Sequence, residues 1–240
     1  MRETAQRAVL YLKLCRVSNL PTIWTNVLCA VVLSTSDFFP WQAFLLLALS
    51  LSLFYSGGMC LNDLCDAEID KVKKPFRPIP SGVISRQSAV VFTVILFLAA
   101  FSLLLFVPFP KAGLAGAALL MLIVLYDLSH KNQPASVFLM AACRLMVFVV
   151  SAVAVSGALG FAAATAGVVQ FVYILLITVI ARLEKSRARE YSLPLIPIMI
   201  SAISLLDGLI MALCAGPVWL LAGLGGMLLT RFGHRYVKGD

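Results

Sequence analysis

Charge is what this 240-residue chain lacks: Asp, Glu, Lys and Arg make up 12% of it, against 61% hydrophobic residues, and the mean hydropathy is +0.99. A soluble domain of that length needs about a quarter of its residues charged, so a polytopic membrane protein is the class that remains. Paired metal spacing is also missing from the six cysteines, Cys15, Cys29, Cys60, Cys65, Cys143 and Cys214, which read as reduced, small packing residues. Only two histidines occur, His130 and His234; they stand apart and read as interfacial side chains. No aromatic-rich basic module accompanies the net charge of +8, which points to membrane headgroups and topology and excludes a nucleic-acid partner. No small-residue cleavage pattern follows the charged stretch Met1 to Arg16, which reads as an amphipathic lead-in and not as a removable signal.

The few charges stand in short clusters. Between them run stretches almost free of charge: only Asp37 between Val17 and Asn62, only Lys111 between Gln87 and Tyr126, none from Leu145 to Ala181, and only Asp207 from Tyr191 to Thr230. At ~20 residues per crossing these stretches divide into about eight helices, 20–36, 41–62, 87–107, 112–129, 135–155, 162–182, 192–214 and 217–232. The fold class is all-α: one bundle in a single domain over residues 1–240. Basic residues number four before the first helix, five between the second and third, one between the fourth and fifth, four around the end of the sixth and three after the last. That places 17 of the 19 on one side; Lys111 lies opposite and Arg144 within a helix. Such asymmetry sets both termini and the loop Lys71 to Arg86 on the cytoplasmic side.

Acid is concentrated at the inner end of the second helix, in Asn62-Asp63-Leu64-Cys65-Asp66-Ala67-Glu68-Ile69-Asp70. At 100° per residue Asp63, Asp66 and Asp70 fall within about 60° of arc on one face, with Cys65 pointing away. Converging carboxylates repel, and a hard cation, Mg2+ above all because it shares carboxylate and phosphate oxygens, turns repulsion into binding. Lys71, Lys73, Lys74 and Arg77 follow at once, so a magnesium-bound diphosphate suits the mixture of signs. Pro75, Pro78, Pro80 and Gly82 forbid a continued helix and make a stiff loop that can fold Arg77 back over the acids. The fourth helix ends with Tyr126, Asp127 and Lys131, a hydroxyl and an ammonium available to the same anion. Arg144, about nine residues into the fifth helix, is too deep to be idle, with Asp127 as a candidate partner.

The pattern Asn-Asp-x-x-Asp-x-x-x-Asp followed by Arg-Pro-Ile-Pro-Ser-Gly resembles the UbiA superfamily of intramembrane prenyltransferases, and the likeness runs over most of the chain. Cys15-Arg16-Val-Ser-Asn19-Leu-Pro-Thr-Ile-Trp24-Thr-Asn26 is similar to that family's first helix, where an arginine and polar residues face the active chamber. The resemblance implies a helical bundle around a lipid-open cavity and Mg2+ held by Asn62, Asp63, Asp66 and Asp70, whose aspartates are the catalytic set. It further implies a polyprenyl diphosphate gripped by Arg16, Arg77, Tyr126, Lys131 and Arg144, with Asn26 and Asn62 near it, and a small aromatic or lipid acceptor attacking C1 within the membrane. The family's second aspartate-rich motif is replaced here by Ala181-Arg182-Leu183-Glu184-Lys185. That resembles a short variant branch, some of whose members are encoded with bacterial secondary-metabolite operons, which implies a bacterial cytoplasmic membrane.

Two readings of the altered motif stay open. Arg182 and Lys185, with Glu184 beside them, replace a second metal as fixed counter-charges and leave a working enzyme. Alternatively, transfer is lost and the pocket binds or moves a prenyl-type lipid. A small secondary transporter is a third class, but it calls for matched Gly/Pro-broken helices in the two halves, which are absent, and for polarity on both sides. Asp207 belongs to none of these readings at this stage. The topology is directly testable: in a cysteine-depleted background, an impermeant thiol reagent added outside should modify a cysteine at position 111 and spare one at position 73. The reverse pattern overturns the orientation.

Overall fold

In a computed structural model of the chain, residues 9–35, 38–129, 135–187 and 195–236 are described, the last three of α7 and the first of α6 by backbone alone. Helical residues 9–14 and a 3-10 turn, Val17–Asn19, lead into α1 (Leu20–Ser34). Then come α2 (Trp41–Cys65), the short α3 (Ala67–Lys73), α4 (Arg86–Leu104), α5 (Lys111–Leu128), α6 (Ala135–Ser156), α7 (Phe161–Arg187), α8 (Leu195–Ala215) and α9 (Trp219–Tyr236). No strand occurs among the described residues.

The eight long helices stand where the charge gaps put them, with displaced ends. α2 runs three residues further than expected, to Cys65, and α7 five further, because Leu183, Glu184 and Lys185 are strong helix formers with no breaker among them. Among the described residues seven of them, α1 taken together with the turn before it (Val17–Ser34), are long and apolar enough to cross a membrane. α9 falls short of them, carrying Arg231, His234 and Arg235 in its last turns. The apolar side chains exposed on α4, such as Val90, Val94 and Leu98, have no protein cover, as lipid-facing positions require. The chain is a multi-pass membrane protein.

α1 is the spine of the bundle, packing against α2, α6, α7, α8 and α9. Its buried face carries Ile23, Val27 and Val31 into a core with Leu47, Leu51 and Phe54 of α2. The loop after α3 is tied down separately: Ile79 and Ile84 are buried with Leu14, Cys60, Leu64 and Leu96, and Gly82 takes a φ of 78°, which lets the chain reverse into α4.

α8 and α9 meet backbone to backbone. A Cβ built on Gly223 would lie 2.6 Å from Gly208 Cα, and one on Gly226 would lie 2.5 Å from Thr25 Cγ2 of α1. Small residues at such crossings are what helix pairs in lipid use to gain dispersion contact. Gly223→Leu should therefore separate α8 from α9 and lower the melting temperature in detergent, the cost of overpacking being about 1–3 kcal/mol. Gly225 faces open space, so Gly225→Ala should leave melting unchanged or raise it slightly. Equal melting of the two variants would refute the close crossing.

Candidate functional site

The acidic end of α2 stays almost helical through its junction with α3. Asp66 N–H donates to the Asn62 carbonyl at 3.0 Å, and Asp70 N–H to the Asp66 carbonyl at 2.8 Å. Asp63 and Asp70, seven residues apart, therefore keep one face, and both are buried. Arg77 lies between them: its Nη1 donates to Asp63 Oδ1 at 3.0 Å and to Asp70 Oδ2 at 2.6 Å. The proline-rich loop thus does fold back over the acids. Asp66, at the junction of α2 and α3, is half-buried, and Arg77 bridges the other two. Among the described residues no three His, Cys, Asp or Glu side chains form a ready-made metal cage.

Arg16 approaches from the other side, with Nη2 at 3.5 Å from Asp63 Oδ1. Its backbone is left-handed, φ 47° and ψ 48°, at a cost on the order of 1 kcal/mol for a residue with a Cβ. The kink turns the lead-in away and sets the guanidinium at the mouth of a cavity. That cavity, about 260 Å³, runs between α1, α2, α5, α6, α7 and α8. Its polar lining is made by Arg16, Asn19, Tyr55, Tyr126, Asp127 and Arg144, and the remainder is mostly aliphatic, including Ile23, Leu51, Leu119, Val147, Ile174 and Ile203.

Three of the residues expected in the chamber line this cavity: Arg16, Tyr126 and Arg144. Asn62 instead donates from Nδ2 to Asp127 Oδ1 at 2.8 Å, joining α5 to the acidic motif. Asp127 is therefore not the partner of Arg144, which donates from Nη1 to Asn26 Oδ1 at 2.7 Å and from Nη2 to Thr22 Oγ1 at 3.2 Å. Asn26, expected to face substrate, is fully buried between Arg144 and Asp207 and does not line the cavity. Arg182 donates from Nη2 to Ser136 Oγ at 3.1 Å, and neither it nor the half-buried Glu184 lines the cavity. Lys131, His130 and Asp37 lie outside the described residues, as does the Lys185 side chain.

Sequence reasoning missed Tyr55 and the pair behind it. Asn19 Nδ2 donates to Tyr55 Oη at 3.0 Å, and its Oδ1 is 2.7 Å from His234 Nε2. His234 is thus part of this chain of contacts and no mere interfacial side chain. Asn19 and Asn26 are seven residues apart on one helical face, a spacing that marks them from sequence alone.

The donor set suits a hard divalent cation. Asp63, Asp66, Asp70 and Asp127 all offer the oxygen donors such a cation takes. Asp127 Oδ2 is buried without any hydrogen-bond partner, and such an orphan oxygen is costly unless a cation or donor reaches it. Added positive charge would satisfy it and would let a multiply charged anion approach Arg16 and Arg144.

Known proteins bear on this geometry. Digeranylgeranylglyceryl phosphate synthase of Saccharolobus solfataricus is 36% identical over 88 residues, 37% of this chain and 31% of the relative. The synthase of the same description from Sulfolobus acidocaldarius is 36% identical over 117 residues, 49% of this chain and 41% of the relative. The 4-hydroxybenzoate octaprenyltransferase of Albidiferax ferrireducens is 34% identical over 119 residues, 47% and 40%. The alignments thus span about a third to two-fifths of these relatives. A solved digeranylgeranylglyceryl phosphate synthase has a TM-score of 0.63 at 19% identity over 97% of this chain and 96% of that one. A UbiA homolog from Archaeoglobus fulgidus, bound to GPP and Mg2+, has a TM-score of 0.55 at 15% identity over 95% and 85%. At those identities the likeness establishes the fold alone. The model of the UbiA prenyltransferase family matches residues 22–234, nearly the whole chain, and with it the chain belongs to that family.

Proposed function

We propose that the chain is a Mg2+-dependent prenyltransferase that moves a prenyl group from a polyprenyl diphosphate to a small aromatic or lipid acceptor within the membrane. The observation that carries this is one cavity with a mixed lining: the guanidiniums of Arg16 and Arg144 and the Asp127 carboxylate together with mostly aliphatic walls. A prenyl diphosphate has the same mixture. The chemistry rests on the chain's own groups. Arg16 and Arg144 face the diphosphate, and charge-assisted contacts of that kind are roughly twice as strong as neutral ones. Tyr55 accepts from Asn19, so its own hydroxyl hydrogen is left to donate toward the cavity. Aliphatic walls keep water from the C1 carbon while its bond to oxygen breaks and the acceptor's bond forms, and in that dry space fixed cations stabilise the departing charge strongly. Held by Asp63, Asp66 and Asp70 with Asn62 beside them, Mg2+ would supply Lewis-acid neutralisation of the leaving diphosphate.

The curated relatives' names include both lipid-phosphate and aromatic-ring chemistry, which is why the acceptor is stated as a class. The excess of basic residues orients the acidic end to the cytoplasm, in a bacterial cytoplasmic membrane, with surrounding membrane lipids as the medium for both substrates. One feature favours a second reading, in which the protein binds or moves a prenyl-type lipid without transfer. At the end of α7 a single carboxylate, Glu184, stands where the family's second acidic cluster is expected.

Pyrophosphate release separates these readings. Purified protein given Mg2+ and a panel of allylic diphosphates should release pyrophosphate only when an aromatic or lipid acceptor is present, and Asp63→Asn should abolish release. Mg2+-dependent binding of geranyl diphosphate without release under any acceptor favours the binding protein. Binding that is indifferent to chelator refutes both. Asp66→Asn should weaken Mg2+-dependent binding at least about tenfold, the effect expected from losing one charged contact in a site where each is strong.

A further inference from the structure

Among the described residues Asp207 is the one carboxylate far from the acidic end, and the structure surrounds it completely. Its exposure is 0%, and it accepts three short hydrogen bonds: from Thr25 Oγ1 and Asn26 Nδ2 on one oxygen and from Gln170 Nε2 on the other, each at 2.7 Å. All three donors are neutral. Arg144 is the reciprocal case. It reaches the cavity, its partners on the other side are Asn26 Oδ1, Thr22 Oγ1 and the Thr22 carbonyl, and among the described residues no carboxylate lies within ion-pairing distance of it. A buried cation and a buried anion thus stand on the two sides of one amide.

We propose that Asp207 is a positioning residue for Arg144, acting through the Asn26 side chain, so that three helices, α8, α1 and α6, fix one guanidinium at the cavity wall. An asparagine amide has a donating and an accepting end, and only one orientation serves here. Its NH2 must face the carboxylate and its carbonyl the guanidinium, because the flipped form sets oxygen against oxygen and N–H against N–H. Asp207, accepting on both of its oxygens, enforces that orientation, and Thr25 and Gln170 hold Asp207 in turn. Arg144 is thereby pinned on its α1 side, which leaves its remaining N–H donors for the cavity. The inference uses the proposed diphosphate ligand only for its second readout.

The test is a double-mutant cycle on the full-length protein in detergent, with Asp207→Asn, Arg144→Met and their combination, read by melting temperature and by affinity for geranyl thiolodiphosphate in the presence of Mg2+. Removing one member of a buried charge pair strands the other, whereas removing both relieves the loss. Each single variant should melt below the parent, and the double variant should melt above Arg144→Met. Asp207→Asn should weaken analogue binding about tenfold in the parent background, the size of one weakened charge-assisted contact, and have no effect in the Arg144→Met background. Additive losses in melting, or an equal loss of affinity with and without Arg144, would overturn the positioning role. If Arg144→Met does not fold, the exchange Asn26→Asp with Asp207→Asn decides: it keeps one carboxylate and one amide with their donors reversed. It should melt above Asp207→Asn alone, and melting below both single changes would also overturn the proposal. If the parent binds no analogue, the functional reading fails while the melting cycle still judges the pairing.

Discussion

Charge carried into an apolar bundle must be met by opposite charge or by hydrogen bonds within a few ångströms, and the arrangement of this protein follows from that requirement. The carboxylates of Asp63 and Asp70 share one helical face and would repel without a cation between them. Arg77 supplies it, with a side chain only 12% exposed. Breaking a buried pair by removing one partner costs about 3–5 kcal/mol, so the loop that carries Arg77 cannot be a loose connector. Its prolines, the left-handed Gly82 and the buried Ile79 and Ile84 are the means by which the loop holds still. Glu68 makes the contrast. It pairs with Lys71 and Arg86 in the open, where such contacts are worth little, and nothing in the bundle depends on it.

The same requirement gives α1 its two asparagines. Each amide stands between a cavity residue and a group on the last two helices: Asn19 between Tyr55 and His234, Asn26 between Arg144 and Asp207. No charged side chain does this, since it only donates or only accepts. α9 provides no cavity wall, yet through His234 it reaches the phenol that does. The tight glycine crossing of α8 and α9, and the contact of Gly226 with Thr25 and Ser204, bring those helices near enough to α1 for such bonds to close.

Much of this was legible in the sequence because membrane crossing leaves a coarse signature. Gaps of about 20 uncharged residues mark helices without any need for fine periodicity, and prolines with a glycine marked the returning loop. Contacts between helices were less legible. Asp127 was the expected partner of Arg144, but depth argues otherwise. At 1.5 Å per residue, Arg144 lies roughly 14 Å into α6. Asp127 is the penultimate residue of α5, at its C-terminal end, whereas Asn26 and Asp207 are well inside α1 and α8. Reckoning depth along alternating helices would have chosen the right layer.

The altered end of α7 is where the family pattern and this chain part, and the geometry narrows what that departure means. Arg182 donates to Ser136 at the start of α6 and is not among the residues that line the cavity. Asp127, by contrast, is tied to the acidic motif by Asn62 and presents a buried, unpartnered oxygen in the cavity's polar lining. Acidity missing from α7 is therefore partly present on α5, on the same side of the cavity as the first motif. Arg16 and Arg144 line the same cavity, so acids and bases both border it. A headgroup that carries its own divalent cation can satisfy both at once, which neither a bare anion nor a bare cation can do.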